Sequence, residues 1–173
     1  MTQKTLFKVS DYKSDFGGEA LKKKRKSRRP LSSKNAIHLV LRADMQKNET
    51  TQKTASLLKH KNQIEKMFLK YSTKFKVKIY KKALASNHIH VLALFVSRQN
   101  YVQFIKAISG QMAQQLKIKW QHRPWSRIVS WGKAFQTAIQ YVLQNEREAL
   151  GIMPYQPRVR RRFQLSSRLI VQT

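Results

Sequence analysis

Two histidines and, further along the chain, a tyrosine are the residues whose types and spacing point to chemistry. His88 and His90 flank Ile89 in the run Asn-His-Ile-His-Val-Leu. Side chains alternate across a strand, so both histidines point to one face. Their Cα atoms then lie ~6.6 Å apart, which lets the two imidazoles hold one metal ion.

Tyr141 and Asn145 could complete such a site. They stand four residues apart in a segment that predicts a helix, so they share one helix face. Two histidines and one amide oxygen leave open coordination positions, as a catalytic Mg²⁺ or Mn²⁺ requires. A phenol is a weak nucleophile at its ordinary pKa of about 10, but a divalent cation and nearby cations favour the phenolate. Attack on a metal-bound phosphate is the chemistry that this set predicts.

Each of these residues also has a simpler interpretation. Histidine pairs on strands occur in ordinary proteins with one ring buried and the other solvated, and Tyr141 could lie at the rim of a packing face. The apolar run after His90 favours the metal interpretation, because burying two imidazoles without a partner is costly. His38 projects opposite to Ile37 and Leu39 and could lie near the metal, but the favoured interpretation is a satisfied, hydrogen-bonded sheet histidine. His60 and His122 are interpreted as surface residues.

The charge of the chain indicates a polyanionic partner. Lys and Arg number 36 against 8 Asp and Glu, giving a net charge of +28. Nucleic acid is the favoured partner, because neutralised phosphates release condensed counterions. A membrane surface is disfavoured, since no apolar run reaches the ~18 residues of a span and the basic stretches lack large apolar residues. The absence of cysteine excludes disulfides and thiolate metal sites, and we expect a cytoplasmic, nucleoid-associated protein.

Composition divides the chain into three parts. Residues 1–34 form a basic arm that is predicted to be flexible, with seven positive charges in the nine residues 22–30. Residues 35–151 form the folded domain, and residues 152–173 form a basic tail.

Periodicity within the domain predicts an α+β fold. Strands are predicted at 36–42, 74–84 (with a slip in the alternation) and 88–96, and a short fourth strand near 128–129. Helices are predicted at 54–71, 98–117 and 133–149, the last stopped by Gly151. The order β-α-β-β-α-β-α is the ferredoxin-like split βαβ arrangement, expected to form a small antiparallel sheet with helices on one face.

The histidine strand, together with the segment Tyr-Val-Leu-Gln-Asn at 141–145 and the strand at 37–42, resembles a known family. These parts are similar to the histidine motif, nucleophile helix and first strand of single-tyrosine (HUH) transposases of the IS200 type. This family includes relatives associated with repetitive extragenic palindromes. The resemblance covers roughly residues 35–151. One departure is that Asn145 is followed by Glu-Arg-Glu, where many relatives have proline.

The resemblance implies a specific activity. His88, His90 and Asn145 would bind Mg²⁺ or Mn²⁺, and Tyr141 would attack a phosphate of single-stranded DNA that bears hairpins. The products would be a 5′-phosphotyrosine and a free 3′-OH, which a second strand transfer rejoins. A homodimer is compatible with the sequence. The sequence would be the same whether Tyr141 acts in the site of its own subunit or in the site of a partner subunit.

Basic and aromatic residues outside this set are predicted to contact the nucleic acid. Of the three tryptophans, Trp125 is favoured for stacking on a base because Arg123 and Arg127 flank it. The predicted contacts are Lys22, Lys23, Lys24, Arg25, Lys26, Arg28, Arg29, Lys81, Lys82, Arg123, Trp125, Arg127, Arg158, Arg160, Arg161 and Arg162. Two alternative functions stay open: a non-catalytic binder of structured nucleic acid, and a nicking protein of the replication-initiator or relaxase kind.

Overall fold

Residues 15–18, 28–44 and 56–157 are described by the structure, a computed structural model of the chain. Its elements in chain order are β1 (Asp15–Phe16), β2 (Ala36–Asp44), a 3-10 helix (Leu57–His60), α1 (Lys61–Lys74), β3 (Val77–Leu84), β4 (His88–Phe95), α2 (Arg98–Gln115), β5 (Lys119–Trp120), β6 (Trp125–Val129) and α3 (Lys133–Ala149). The predicted elements are all present, with ends displaced by a few residues.

One antiparallel sheet connects the strands, in the order β1-β6-β2-β4-β3 with β5 added to the end of β2. The apolar strands β2 and β4 form its centre, where Leu39 lies opposite Val91. The slip in the alternation of the strand predicted at 74–84 coincides with a bulge between Ile79 and Lys81 of β3. The path β2-α1-β3-β4-α2-β6 is a split βαβ arrangement, so the predicted α+β fold class is confirmed.

The larger core lies between the sheet and the pair α1 and α2. Phe104 of α2 is fully buried, with its ring centroid 6.1 Å from that of Phe68 in α1 and 5.7 Å from that of Phe95 in β4. Ile89 and Val91 of β4 belong to the same buried cluster. This face of the sheet is closed to solvent, so a functional site has to be sought on the other face.

The third helix lies on that other face, which differs from the expectation that the helices share one side. The contacts join Ala36, Leu92 and Val129 of the sheet to Phe135, Ala138 and Ile139 of α3. The physical reason is the apolar composition of β4, which places Leu92 on the second face as well and therefore requires cover there. As predicted, α3 ends just before Gly151, whose φ of 71° suits a helix terminus.

Part of the predicted N-terminal arm belongs to the folded unit. Phe16 pairs with Ser126 of β6, and the Arg29 guanidinium donates hydrogen bonds to the carbonyls of Phe16 (3.2 Å) and Pro124 (2.6 Å) and to the Ser126 hydroxyl. Burial lowers the pKa of Arg29 from its ordinary value. Two expectations are corrected. The arm was expected to be flexible, but it is anchored at these points. Arg29 was expected to contact nucleic acid, but its guanidinium hydrogen-bonds to Phe16, Pro124 and Ser126 within the fold.

Other predictions lie outside the described residues. These are the basic cluster at 22–26, the arginine cluster at 158–162 and most of the polar loop predicted after β2. Arg28 is described and is exposed. None of the helices in the described ranges has both the length and the apolar character needed to cross a membrane.

Candidate functional site

The two histidines of β4 lie on the face of the sheet that carries α3. Their ring centroids are 4.8 Å apart and the ring planes are nearly perpendicular, at 83°. Pairing places His88 opposite Arg42 and His90 opposite Val40 of β2. His90 is buried, whereas His88 is half-buried. The alternation of the strand thus brings the two imidazoles together as its sequence predicts.

His88 is oriented by its neighbour in the chain. Its Nδ1 lies 2.7 Å from the side-chain oxygen of Asn87, so Nδ1 carries the proton and donates it. Burial lowers the pKa of His88 from its ordinary value, and the Arg42 charge lowers it further. Both effects favour the neutral ring, which is the form that binds metal ions.

A third histidine, from the neighbouring strand, contacts this pair. His38 Nε2 lies 3.0 Å from His90 Nδ1, and the two rings stack with centroids 5.2 Å apart. His38 is buried, and burial, followed by the charge of Arg127, lowers its pKa to about 4. The expectation of a hydrogen-bonded sheet histidine is confirmed in part, but the partner is a residue of the site. The alternation of side chains along β2 could indicate from the sequence which face His38 is on. The register of β2 with β4, which brings His38 to His90, could not be predicted from the sequence.

Tyr141 reaches the histidines from α3. Its ring centroid lies 5.4 Å from that of His90 and 5.8 Å from that of His38. The next residue, Val142, is fully buried and fixes the rotation of the helix on the sheet. A phenol and two imidazoles from three different elements therefore meet at one point of this face.

Asn145 is one turn further along α3 and points elsewhere. Its Nδ2 donates a hydrogen bond of 2.7 Å to the backbone carbonyl of Tyr141, and its side chain does not line the cleft around the histidines. No cluster of three or more His, Cys, Asp or Glu within the described ranges is arranged to hold a metal ion. The chemistry of two neighbouring imidazoles fits a divalent ion, and the amide would have to turn toward it to act as a third ligand.

An open cleft of about 1440 Å³ surrounds these rings. It lies between the sheet face, the segment before and within β6, and α3. The residues predicted from the sequence that line it are His88, His90, Tyr141, Arg123, Trp125 and Arg127. Arg42, His122 and Lys133 also line it and were not predicted from the sequence. The pairing of β2 with β4 and β6 and the packing of α3 on the sheet bring these segments together.

Trp125 is the tryptophan that faces the cleft. It stands edge-on to His38 with ring centroids 5.4 Å apart, and it is half-buried. The other two donate their indole N–H groups elsewhere, Trp120 to the Ser109 carbonyl and Trp131 to the Lys34 carbonyl. Trp125 is the tryptophan favoured from the sequence for base stacking, and that role stays a prediction.

The two lysines predicted as phosphate contacts on β3 lie on opposite faces of the sheet. Lys81 is on the α3 face and forms an ion pair of 2.7 Å with Glu146, whereas Lys82 pairs with Glu65 of α1. Both pairs are partly exposed, and such pairs contribute little to stability. Only Lys81 is on the side of the cleft, and its Nζ is directed toward a carboxylate of α3.

Comparison with known proteins now identifies the family. The model for transposases of the IS200-like kind matches residues 32–144, which include His88, His90 and Tyr141 and end one residue before Asn145. The chain belongs to the IS200-like transposase family. The resemblance seen in the sequence is thereby confirmed, and with it a protein class that acts on DNA in transposition.

One solved structure supports the fold of this family member. A REP-associated tyrosine transposase bound to a REP hairpin matches with a TM-score of 0.56, over 70% of this chain and 72% of that chain, at 16% sequence identity. A proposed transposase from Deinococcus radiodurans R1 matches over 70% of this chain and 98% of that chain, at 12% identity and a TM-score of 0.42. No similar sequence is found among the curated proteins.

Proposed function

We propose that this chain cleaves and rejoins hairpin-bearing single-stranded DNA through a 5′-phosphotyrosine on Tyr141. The observation that carries the proposal is the meeting of the Tyr141 ring with His90, 5.4 Å between centroids, inside a cleft lined by arginines. The helix that carries Tyr141 packs on the sheet face of its own chain, and this packing supports attack within a subunit.

His88 and His90 would hold the divalent metal, Mg²⁺ or Mn²⁺, and Asn145 would join them after its amide leaves the Tyr141 carbonyl. When bound, the ion supplies a charge that polarises the scissile phosphate and favours the phenolate. The hydrogen bond from His88 Nδ1 to Asn87 orients the ring and leaves Nε2 as its ligand nitrogen.

The proposed covalent step uses the phenol of Tyr141. Tyr141 loses its proton, its oxygen bonds to phosphorus, and the bond from phosphorus to the 3′ oxygen breaks, so that this oxygen takes up a proton and leaves as a 3′-OH. Rejoining is the reverse, with a 3′-OH attacking the phosphotyrosine and restoring Tyr141. The energy of the phosphodiester is conserved in the protein–DNA bond, and no nucleotide cofactor is required.

Cations around the cleft would position the DNA strand. Arg42 and Lys133 lie with Arg123 and Arg127 along the lining, and these groups suit the phosphate backbone. Trp125 would stack on an unpaired base beside them. The hairpin is proposed because the REP-associated relative is bound to a REP hairpin.

A specific observation favours a second candidate, a non-catalytic binder of structured nucleic acid. The Asn145 amide is bonded to its own helix, away from the cleft, so the metal site has two ligands in place. A protein that had kept the fold and lost the reaction would need no third ligand. It would bind hairpins in a strongly salt-dependent manner without forming an adduct.

The deciding experiment is a search for a covalent adduct. Protein and a labelled pool of single-stranded hairpins are incubated with Mn²⁺ or Mg²⁺, denatured and separated by electrophoresis. We expect a labelled adduct that is lost in Tyr141→Phe and in EDTA, while hairpin binding by Tyr141→Phe is retained. Tyr155, which is exposed, provides the control Tyr155→Phe. Strong binding with no adduct in the wild type would support the second candidate, and an adduct in Tyr141→Phe would contradict the proposed nucleophile.

A further inference from the structure

The two histidines of β4 are each fixed through the same ring atom. His88 Nδ1 lies 2.7 Å from the Asn87 side-chain oxygen, and His90 Nδ1 lies 3.0 Å from His38 Nε2. Asn87 is the chain neighbour of His88, but His38 is on another strand, opposite Leu92, two residues beyond His90. The contact to His38 is therefore a product of the sheet register.

We propose that His38 is a positioning residue that accepts a hydrogen bond from His90 Nδ1–H. A neutral imidazole carries its proton on one nitrogen, so a proton held on Nδ1 leaves the Nε2 lone pair as the metal donor. The opposite assignment, in which His38 Nε2–H donates to His90 Nδ1, would put the His90 proton on Nε2 and block that donor. The inference rests on the metal site proposed above.

The surroundings of His38 hold it in place for this task. It is buried, stacks on His90, and is bordered edge-on by Trp125 and Tyr141, with ring centroids 5.4 and 5.8 Å away. A purely structural histidine would be satisfied by either proton assignment across the 3.0 Å contact. Metal binding by His90 is compatible only with the proton on Nδ1. The position of the proton therefore distinguishes a positioning role of His38 from a purely structural one.

The first measurement is the tautomer of His90 in the wild-type protein without metal. Long-range ¹H–¹⁵N NMR correlations of uniformly labelled protein distinguish the protonated from the unprotonated ring nitrogen, and His90→Gln assigns the signals. We expect the proton of His90 on Nδ1 and an unprotonated Nε2 on His38. A proton on Nε2 of His90 would overturn the proposal.

The second measurement is Mn²⁺ affinity, determined by calorimetry and by electron paramagnetic resonance of free Mn²⁺. His38→Leu keeps much of the volume and removes the acceptor, whereas His38→Gln places an amide oxygen near the former Nε2. We expect affinity to fall about 10- to 100-fold in His38→Leu and to recover in His38→Gln. His60→Gln, on the 3-10 helix, controls for the loss of a histidine.

Circular dichroism and thermal unfolding check that the variants fold, and the wild-type tautomer decides the matter if His38→Leu does not. Equal Mn²⁺ affinity in folded His38→Leu and the wild type would overturn the role of His38 alone. A wild type that binds no Mn²⁺ would overturn the proposed metal site itself, and the positioning role with it.

Discussion

The two faces of the sheet differ in chemistry although the same strands build both. Toward α1 and α2, β4 presents Ile89 and Val91 to a closed apolar core. Toward α3, it presents His88 and His90 to a cleft of about 1440 Å³. Because successive side chains of a strand alternate between its faces, residues of β4 that pack in the core alternate with residues that face the cleft. The comparison predicts that substitutions on one face change folding and those on the other change function.

The largest effect on stability is expected on the closed face. Phe104→Ala removes a fully buried ring that contacts Phe68 and Phe95, so we expect the free energy of unfolding to fall by about 3–5 kcal/mol. Urea unfolding followed by circular dichroism measures it. The adduct yield per folded molecule should stay at the wild-type level. A loss below about 1 kcal/mol would show that this face is not the main source of stability.

The open face is expected to show the reverse behaviour. His88→Ala should lower the rate of adduct formation about 100-fold or more, which corresponds to about 2.7 kcal/mol, because one of the two imidazoles proposed to hold the metal is lost. The free energy of unfolding should change by less than about 1 kcal/mol, since His88 is only half-buried. His60→Ala provides the control. A rate equal to that of the wild type would exclude His88 from the reaction.

Lowering the pH should destabilise the protein, because a buried histidine of the open face, His38, resists protonation in the folded state. The pKa of His38 is about 4 in the folded protein, against an ordinary value of 6.5. As the pH falls between these values, the unfolded chain binds a proton at His38 that the folded protein does not, so unfolding becomes easier. Between pH 7 and pH 5 the free energy of unfolding should decrease by about 2 kcal/mol from this group.

Urea unfolding in EDTA at several pH values tests this expectation. His88, whose pKa is also lowered, adds a decrease of the same sign. The variant His38→Leu should therefore keep some pH dependence but lose the larger part of it. An identical pH profile in the wild type and in His38→Leu would contradict the assignment to His38.

The sequence predicted what depends on local periodicity. The alternation of β4 placed its two histidines on one face, and the helical period placed α3 from Lys133 to Ala149. The slip in the alternation of β3 coincides with the bulge that the structure has between Ile79 and Lys81. Each of these patterns is contained within one element. The family resemblance rested on the same segments and is confirmed by the matched residues 32–144.

What the sequence left undetermined depends on contacts between distant segments. The approach of His38 to His90 depends on the register of β2 with β4, and the inward turn of Arg29 depends on acceptors near Ser126. The ion pairs of Lys81 and Lys82 likewise depend on which helix covers which face. The spacing of residues along the chain does not indicate any of these partners. For this reason several basic residues that form contacts within the protein were predicted, from their residue type, to contact nucleic acid.

The smallest expected effect is the loss of DNA affinity when a single cation is removed. We compare one cation on each face of the sheet. Arg123 lines the cleft and is exposed, whereas Lys82 lies on the α1 side and pairs with Glu65. Arg123→Gln and Lys82→Gln remove the same formal charge. If Arg123 contacts a phosphate, its variant should lower the slope of log affinity against log salt by about 1 and weaken binding across hairpin sequences.

Lys82→Gln should leave that slope unchanged, because the lost charge is on the face away from the cleft. Filter binding or anisotropy over a range of salt concentrations measures both variants with the same hairpin. Equal losses would mean that the DNA responds to the total charge of the protein rather than to the cleft. A loss confined to Arg123→Gln would place the strand along the face where β4 presents its histidines, which is where the proposed nucleophile Tyr141 would meet the phosphate.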